Sequence, residues 1–185
     1  MKTRGNRQTD REMNDSMEIK QPILNFVIKN GYDNLFHSIM AFDCELDVSD
    51  ESGITPLHQS VISSNYPAAE VLLKHGADPT IADKEDICPL LSAMNKNDLR
   101  MLELLLKYRP DMCECIDEKN GMTPLHHAVI NRNRNMVRLF IESGADIHKT
   151  DANKMSPFDY SKLYRYDDIA ELIERYINSS QTASP

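Results

Sequence analysis

Residues 50–83 read DESGITPLHQSVISSNYPAAEVLLKHGADPTIAD, and residues 117–151 read DEKNGMTPLHHAVINRNRNMVRLFIESGADIHKTD. Both contain G-x-T-P-L-H, then a short apolar stretch, then a second apolar stretch, then G-A-D. Pro56 and Gly76 are separated by 20 positions, as are Pro124 and Gly144, so the two copies align without a gap. Physical chemistry assigns each part a role. Asp50 and Gly53 begin a turn in which glycine permits positive φ. Thr55 is placed to cap a helix, and Pro56 sits at its first position, where no N–H is missed. Leu57, Ser60 and Val61 form one helical face, and Val71, Leu72 and Leu73 form the next. Gly76 ends the second helix. Each such helix pair leaves apolar surface that only a neighbouring pair can bury, so the pairs must stack.

Working outward, Cys88-Pro89-Leu90-Leu91 is a weaker copy of T-P-L-H, and Arg109-Pro110-Asp111 replaces G-A-D. Pro56 to Pro89 is 33 residues, Pro89 to Pro124 is 35 and Pro124 to Pro157 is 33, which places an insertion of two residues near Met112–Ile116. Ser156-Pro157-Phe158-Asp159 is the last copy. At the other end, Gln21-Pro22-Ile23-Leu24 lies 34 residues before Thr55-Pro56-Leu57-His58. These motifs and this period resemble the ankyrin repeat. The resemblance spans Met17 to Ile177. It implies an all-α ankyrin-repeat solenoid of about five helix-turn-helix repeats with β-turn connections. The expected layout is an unstructured segment 1–16, a degenerate N-capping repeat 17–49, repeats 50–82, 83–116 (with the insertion) and 117–150, a C-capping repeat 151–177, and an unstructured tail 178–185. The outer copies are expected to carry polar outer faces, because terminal repeats must meet water.

Composition narrows the function. Aromatic residues are only 6% and Trp is absent, so the core is built of Leu, Ile, Val, Met and Ala. The formal net charge of −8, with a pI near 5.2, argues against nucleic acid, whose binders carry a basic footprint. Cys44, Cys88, Cys113 and Cys115 show no Cys-x-x-Cys spacing, and the pair at 113 and 115 reads as two ordinary thiols in a slightly long loop. The first twenty residues hold no apolar run of a secretory signal, and no stretch reaches the roughly 20 apolar residues of a membrane span. A cytoplasmic setting, with the nucleus also open, is the expectation.

No nucleotide-binding loop, zinc-binding histidine pair or nucleophile elbow is present, so no catalytic residue, cofactor or metal is expected. His58 and His126 recur at the fourth position of T-P-L-H. They read as structural histidines that tie one repeat to its neighbour's turn, not as bases or ligands. His127 points to another helix face. Arg132, Arg134 and Arg138 form a small basic cluster, read as a solvated face beside the acidic remainder of the chain, with an acidic or phosphate-bearing partner as the other reading. Met94, Met101, Met112 and Met136 read as core filling.

The resemblance implies a non-catalytic module that binds one partner protein through the turn tips and first helices of a concave face. The family's contact offsets fall here on Glu51, Ile54, Ile62, Lys84, Ile87, Lys96, Met122, Ile130, Arg132, Met155, Leu163 and Tyr164. Ile54, Ile87, Met122 and Met155 share one offset. They form either an exposed apolar row or contacts packed between turns. Tyr164 and Tyr166 are the aromatic anchor candidates. The expected partner is a protein, with a signalling or cell-cycle kinase, or a host protein diverted by a viral or bacterial ankyrin protein, as narrower readings. A small-molecule substrate, nucleic acid and membrane are not expected, and the chain alone is expected to be monomeric.

Overall fold

The computed structural model describes residues 23–40, 45–114 and 119–182. Among them are ten α-helices and no strand. Helix α1 covers 23–29 and α2 covers Asp33–Met40. They are followed by α3 (Pro56–Ile62), α4 (Tyr66–Lys74), α5 (Pro89–Asn95) and α6 (Leu99–Tyr108). After a 3-10 helix at Pro110–Glu114 come α7 (Pro124–Ile130), α8 (Arg134–Glu142), α9 (Pro157–Leu163) and α10 (Asp167–Thr182). This is the all-α ankyrin-repeat solenoid. The chain divides into two compact units, Met1–Leu104 and Leu105–Pro185, with the division inside α6.

Each first helix begins where its residues require. Thr55, Thr123 and Ser156 hold extended backbone, and their side chains accept the N–H three residues on, while Pro56, Pro124 and Pro157 occupy the first helical position. Cys88 stands at the same place with no side-chain cap. Second helices are capped differently: the Oδ1 atoms of Asn65, Asp98 and Asn133 accept from Ala68, Met101 and Met136. The last repeat has Tyr166 at that offset. The turns ahead of the first helices share another device. Oδ1 of Asp50, Asp83 and Asp151 each accepts the N–H groups two and four residues later. Gly53, at φ +83°, is required in its turn twice over, because a Cβ there would come within 2.9 Å of the Asp83–Lys84 backbone.

Within the first unit, α3 packs on α4 and α5, and α2 on α4; within the second, α7 packs on α8 and α9, and α10 on both of those. The buried side chains include Leu57, Val61, Ala68, Ala69, Leu72 and Leu73 in one unit and Leu125, Val129, Val137, Phe140 and Ile173 in the other. Val71 is only half-buried; its helix instead buries Ala68 and Ala69. Met94, Met101, Met112 and Met136 are all core residues.

Four expectations change. Helices α1 and α2 start 33 residues before α3 and α4, and Gly31 has the left-handed backbone of Ser64, so the first repeat aligns at 33 and not 34. Ile23 then stands at the place of Pro56 and Asn25 at that of His58. The outer face of this repeat is not polar: Ile23, Phe26, Tyr32 and Leu35 are exposed. The inserted stretch forms a 3-10 helix, not a loop, with Met112 and Cys113 buried and the Cys113 thiol 3.8 Å from the Ser143 carbonyl. Finally, α10 continues to Thr182, five residues past Ile177. Residues 1–16 and 183–185, with Cys44, Cys115 and Ile116, lie outside the described residues.

Left-handed backbone recurs at fixed offsets without glycine. Ser64, Asn97, Arg132 and Arg165, each eight residues after its repeat's first helical proline, have φ between +52° and +57°. Asp86 and Lys154, at the turn tips, have φ +61°.

Candidate partner-binding surface

The histidines are the obvious chemistry, and the fold accounts for both. Thr55 N–H and its hydroxyl lie 3.2 and 2.8 Å from Nδ1 of His58, and Nε2 lies 3.0 Å from the Ile87 carbonyl. His126 repeats this with Thr123, at 3.1 and 2.9 Å, and with the Met155 carbonyl at 3.0 Å. A carbonyl only accepts, so Nε2 carries the proton and Nδ1 takes the N–H of the cap residue. Each ring therefore completes the cap of its own helix and holds the turn of the next repeat, as the motif implied. Both rings are fully buried. Burial pushes the His126 pKa below the ordinary 6.5, outweighing the opposing pull of the Met155 carbonyl and Asp151.

Beside His126 lies a buried carboxylate. Tyr160 donates its hydroxyl to Asp151 Oδ2 at 2.6 Å, and the ring of Tyr160 meets that of His126 edge-on at 6.0 Å. Burial acts to raise the Asp151 pKa, but the hydrogen bonds from Tyr160, Met155 and Asn153 prevail and hold it below the usual value. Among the described residues no group of three or more His, Cys, Asp or Glu is placed to hold a metal ion, and no helix is long and apolar enough to cross a membrane.

The contact candidates fall into three groups. Glu51 and Lys84 are exposed at turn tips, and the Lys84 N–H donates to the Ser52 carbonyl at 3.1 Å, joining adjacent turns. Ile54, Ile87, Met122 and Met155 are all half-buried, and the carbonyls of Ile87 and Met155 receive the histidines. The third group lies at the ends of first helices. Ile130 there is half-buried, while Ile62 is 47% exposed, Leu163 61% and Tyr164 45%.

Two charged candidates are engaged within the chain. The Lys96 ammonium donates to the carbonyls of Val61 and Ile62 at 3.0 and 2.8 Å and to Ser64 Oγ at 2.8 Å, so it caps the C-terminus of α3 in the preceding repeat. Arg132 lies 3.6 Å from Asp168 and stacks over Tyr166, with the guanidinium 5.2 Å from the ring centre. The aromatic run then continues: Tyr166 is 5.6 Å from Tyr164, which is stacked 6.0 Å from Tyr160. Of the basic cluster, Arg134 is half-buried and Arg138 exposed.

One arrangement was missed from the sequence. Ser64 and Tyr66 donate to Asp98, each at 3.2 Å, while Arg100 covers the Tyr66 ring at 4.3 Å. Spacing alone carried a hint, since Tyr66 and Asp98 lie 32 residues apart, one short of the repeat.

The family profile for ankyrin repeats in three copies matches residues 89–182, and that for a single ankyrin repeat matches 52–84. The chain belongs to the ankyrin-repeat family. It is similar to an ankyrin repeat protein of Rickettsia bellii, with 34% identity over 109 residues, covering 56% of this chain and 31% of the relative. It is also similar to Inversin of Canis lupus familiaris, at 30% identity over 150 residues, or 80% of this chain and 14% of the relative. A third relative is an ankyrin repeat protein of Fowlpox virus, at 30% identity over 127 residues, or 68% of this chain and 28% of the relative. The chain thus spans less than a third of the length of these relatives. The ankyrin repeat is a protein–protein interaction module and typically not a catalytic one.

Proposed function

We propose that this chain binds one partner protein through the ends of its first helices and the adjoining turn tips. One observation carries the reading. Outside the first repeat, the exposed large apolar side chains among the described residues are Ile62, Leu163 and Tyr164, and all three stand six or seven residues after a repeat's first helical proline. The offset that the family resemblance assigns to partners is therefore the offset where apolar surface meets water. In the second unit, Leu163 adjoins the stacked Tyr160–Tyr164–Tyr166 series, a rigid amphipathic surface of the kind that anchors interfaces.

The test is affinity purification of the tagged full chain with mass spectrometry, followed by Leu163→Asp and Tyr164→Ala. Both side chains are solvent-exposed, so the helical signal should persist while the partner is lost. A partner retained at wild-type levels by both variants sinks the reading. The same purification decides whether the partner is a signalling or cell-cycle kinase or a host protein, and imaging of the tagged chain tests the proposed cytoplasmic and nuclear setting.

A further inference from the structure

The first repeat presents a face that the later repeats bury. In the 33-residue register, Ile23, Phe26, Tyr32 and Leu35 correspond to Pro56, Gln59, Asn65 and Ala68. Leu35 is 50% exposed, whereas its counterparts Ala68, Met101, Met136 and Ile169 are at most 3% exposed. The counterparts of Ile23 are four buried prolines, and those of Phe26 and Tyr32 are buried or half-buried. Hydrogen bonds show which way this face looks. Asn65 Nδ2 donates to the Ile28 carbonyl, and Asp98 accepts from Ser64 and Tyr66, each reaching the preceding repeat. In the second unit, Tyr166 and Asp168 likewise take Arg132 from the repeat before. Phe26 and Tyr32 lie 6.0 Å apart, so the four exposed side chains include an aromatic pair.

We propose that residues 13–19 of this chain, MNDSMEI, cover that face through Met13, Met17 and Ile19. They bring three large apolar side chains within seven residues, and methionine adapts to an irregular surface. Ile19 is four residues from Ile23, so the tether holds the segment at an effective concentration of about millimolar, above that of a second copy in dilute solution. Glu12, Asp15 and Glu18 in and beside the segment complement Lys29, exposed beside Phe26. A second copy stacked head-to-tail is chemically mismatched. Its last repeat has Asp159 where the histidine stands, and Lys162 there pairs with Glu174 at 2.9 Å. The proposal replaces the unstructured reading for residues 13–16.

The test compares the full chain with Met13→Ser/Met17→Ser/Ile19→Ser by amide hydrogen exchange, bis-ANS fluorescence and light scattering. Exchange across residues 23–40 should rise about tenfold in the triple variant while residues 157–173 stay unchanged. Bis-ANS fluorescence should rise as well, and adding Phe26→Ser and Leu35→Ser should abolish that rise. Unchanged exchange and dye binding in the triple variant overturn the proposal. So does a concentration-dependent wild-type dimer that Phe26→Ser/Leu35→Ser converts to monomer, since the occupant is then a second copy.

Discussion

Replacing His126 with Ala tests the idea that the histidine is a strut. The ring is fully buried, and three contacts vanish with it. Thr123 N–H, in a residue only 2% exposed, loses its acceptor, which costs about 1–3 kcal/mol. The Met155 carbonyl keeps the Asp151 N–H at 3.0 Å, so loss of Nε2 there costs only about 1 kcal/mol. Loss of the edge-on contact with Tyr160 adds about 0.5–1.5 kcal/mol. The sum is about 3–5 kcal/mol, a large fraction of the stability of a small domain. With Trp absent, urea unfolding is best followed by far-UV circular dichroism, and the midpoint should fall while the slope holds. His127→Ala is the control. That side chain is half-buried on another face, and its loss should cost no more than about 0.5 kcal/mol. A His126→Ala loss below about 1 kcal/mol, or one matched by His127→Ala, would refute the strut.

Three further outcomes are expected. The folded state holds His126 below the ordinary 6.5, so its contribution is complete above that pH and is lost as pH falls through the folded-state value; urea midpoints at pH 7.5 and 5.5 should drop on the acid side, and His126→Gln should flatten that drop. Cys88→Thr supplies the absent cap and should stabilise by about 1 kcal/mol in the same titration, with no gain counting against the capping account. Asn25 stands at the histidine offset with its Oδ1 buried and unpartnered, and Pro22, three residues before, has no N–H to offer. Pro22→Thr with Asn25→His should therefore stabilise by about 1 kcal/mol, whereas Asn25→His alone should not; equal effects would sink the explanation.

The middle of the fold was legible because its devices are local and repeated. A threonine before a proline, with histidine three residues on, can form the capping box from neighbouring residues alone, and doing so twice declared the period. The first repeat misled for a related reason. Pro22 imitates Pro56 to the eye, but the backbone puts it one place earlier, at the cap, so the 34-residue spacing read a resemblance in letters and not in geometry. The tail NSSQT looked irregular because its apolar pattern stops, yet nothing there breaks a helix, and α10 runs on with Asn178 and Ser179 in solvent. Of the partner surface, the offsets of Ile62, Leu163 and Tyr164 could be read in advance. The destinations of Lys96 and Arg132 could not, because a long side chain spans about the distance between repeats and its choice depends on carbonyls and carboxylates 32–36 residues away.

The left-handed residues after each first helix bear on how such arrays are lengthened or rebuilt. Glycine would adopt that backbone at no steric cost, whereas a side chain pays about 1 kcal/mol. Ser64 and Arg132 return something for it, since each grips the following repeat, through Asp98 and Lys96 in one case and Asp168 in the other. An engineer grafting copies of this repeat therefore has a dial at one position. Glycine there makes each repeat easier to form alone, and serine or arginine makes it depend on its successor, so the residue chosen sets whether the array melts piecemeal or as a block.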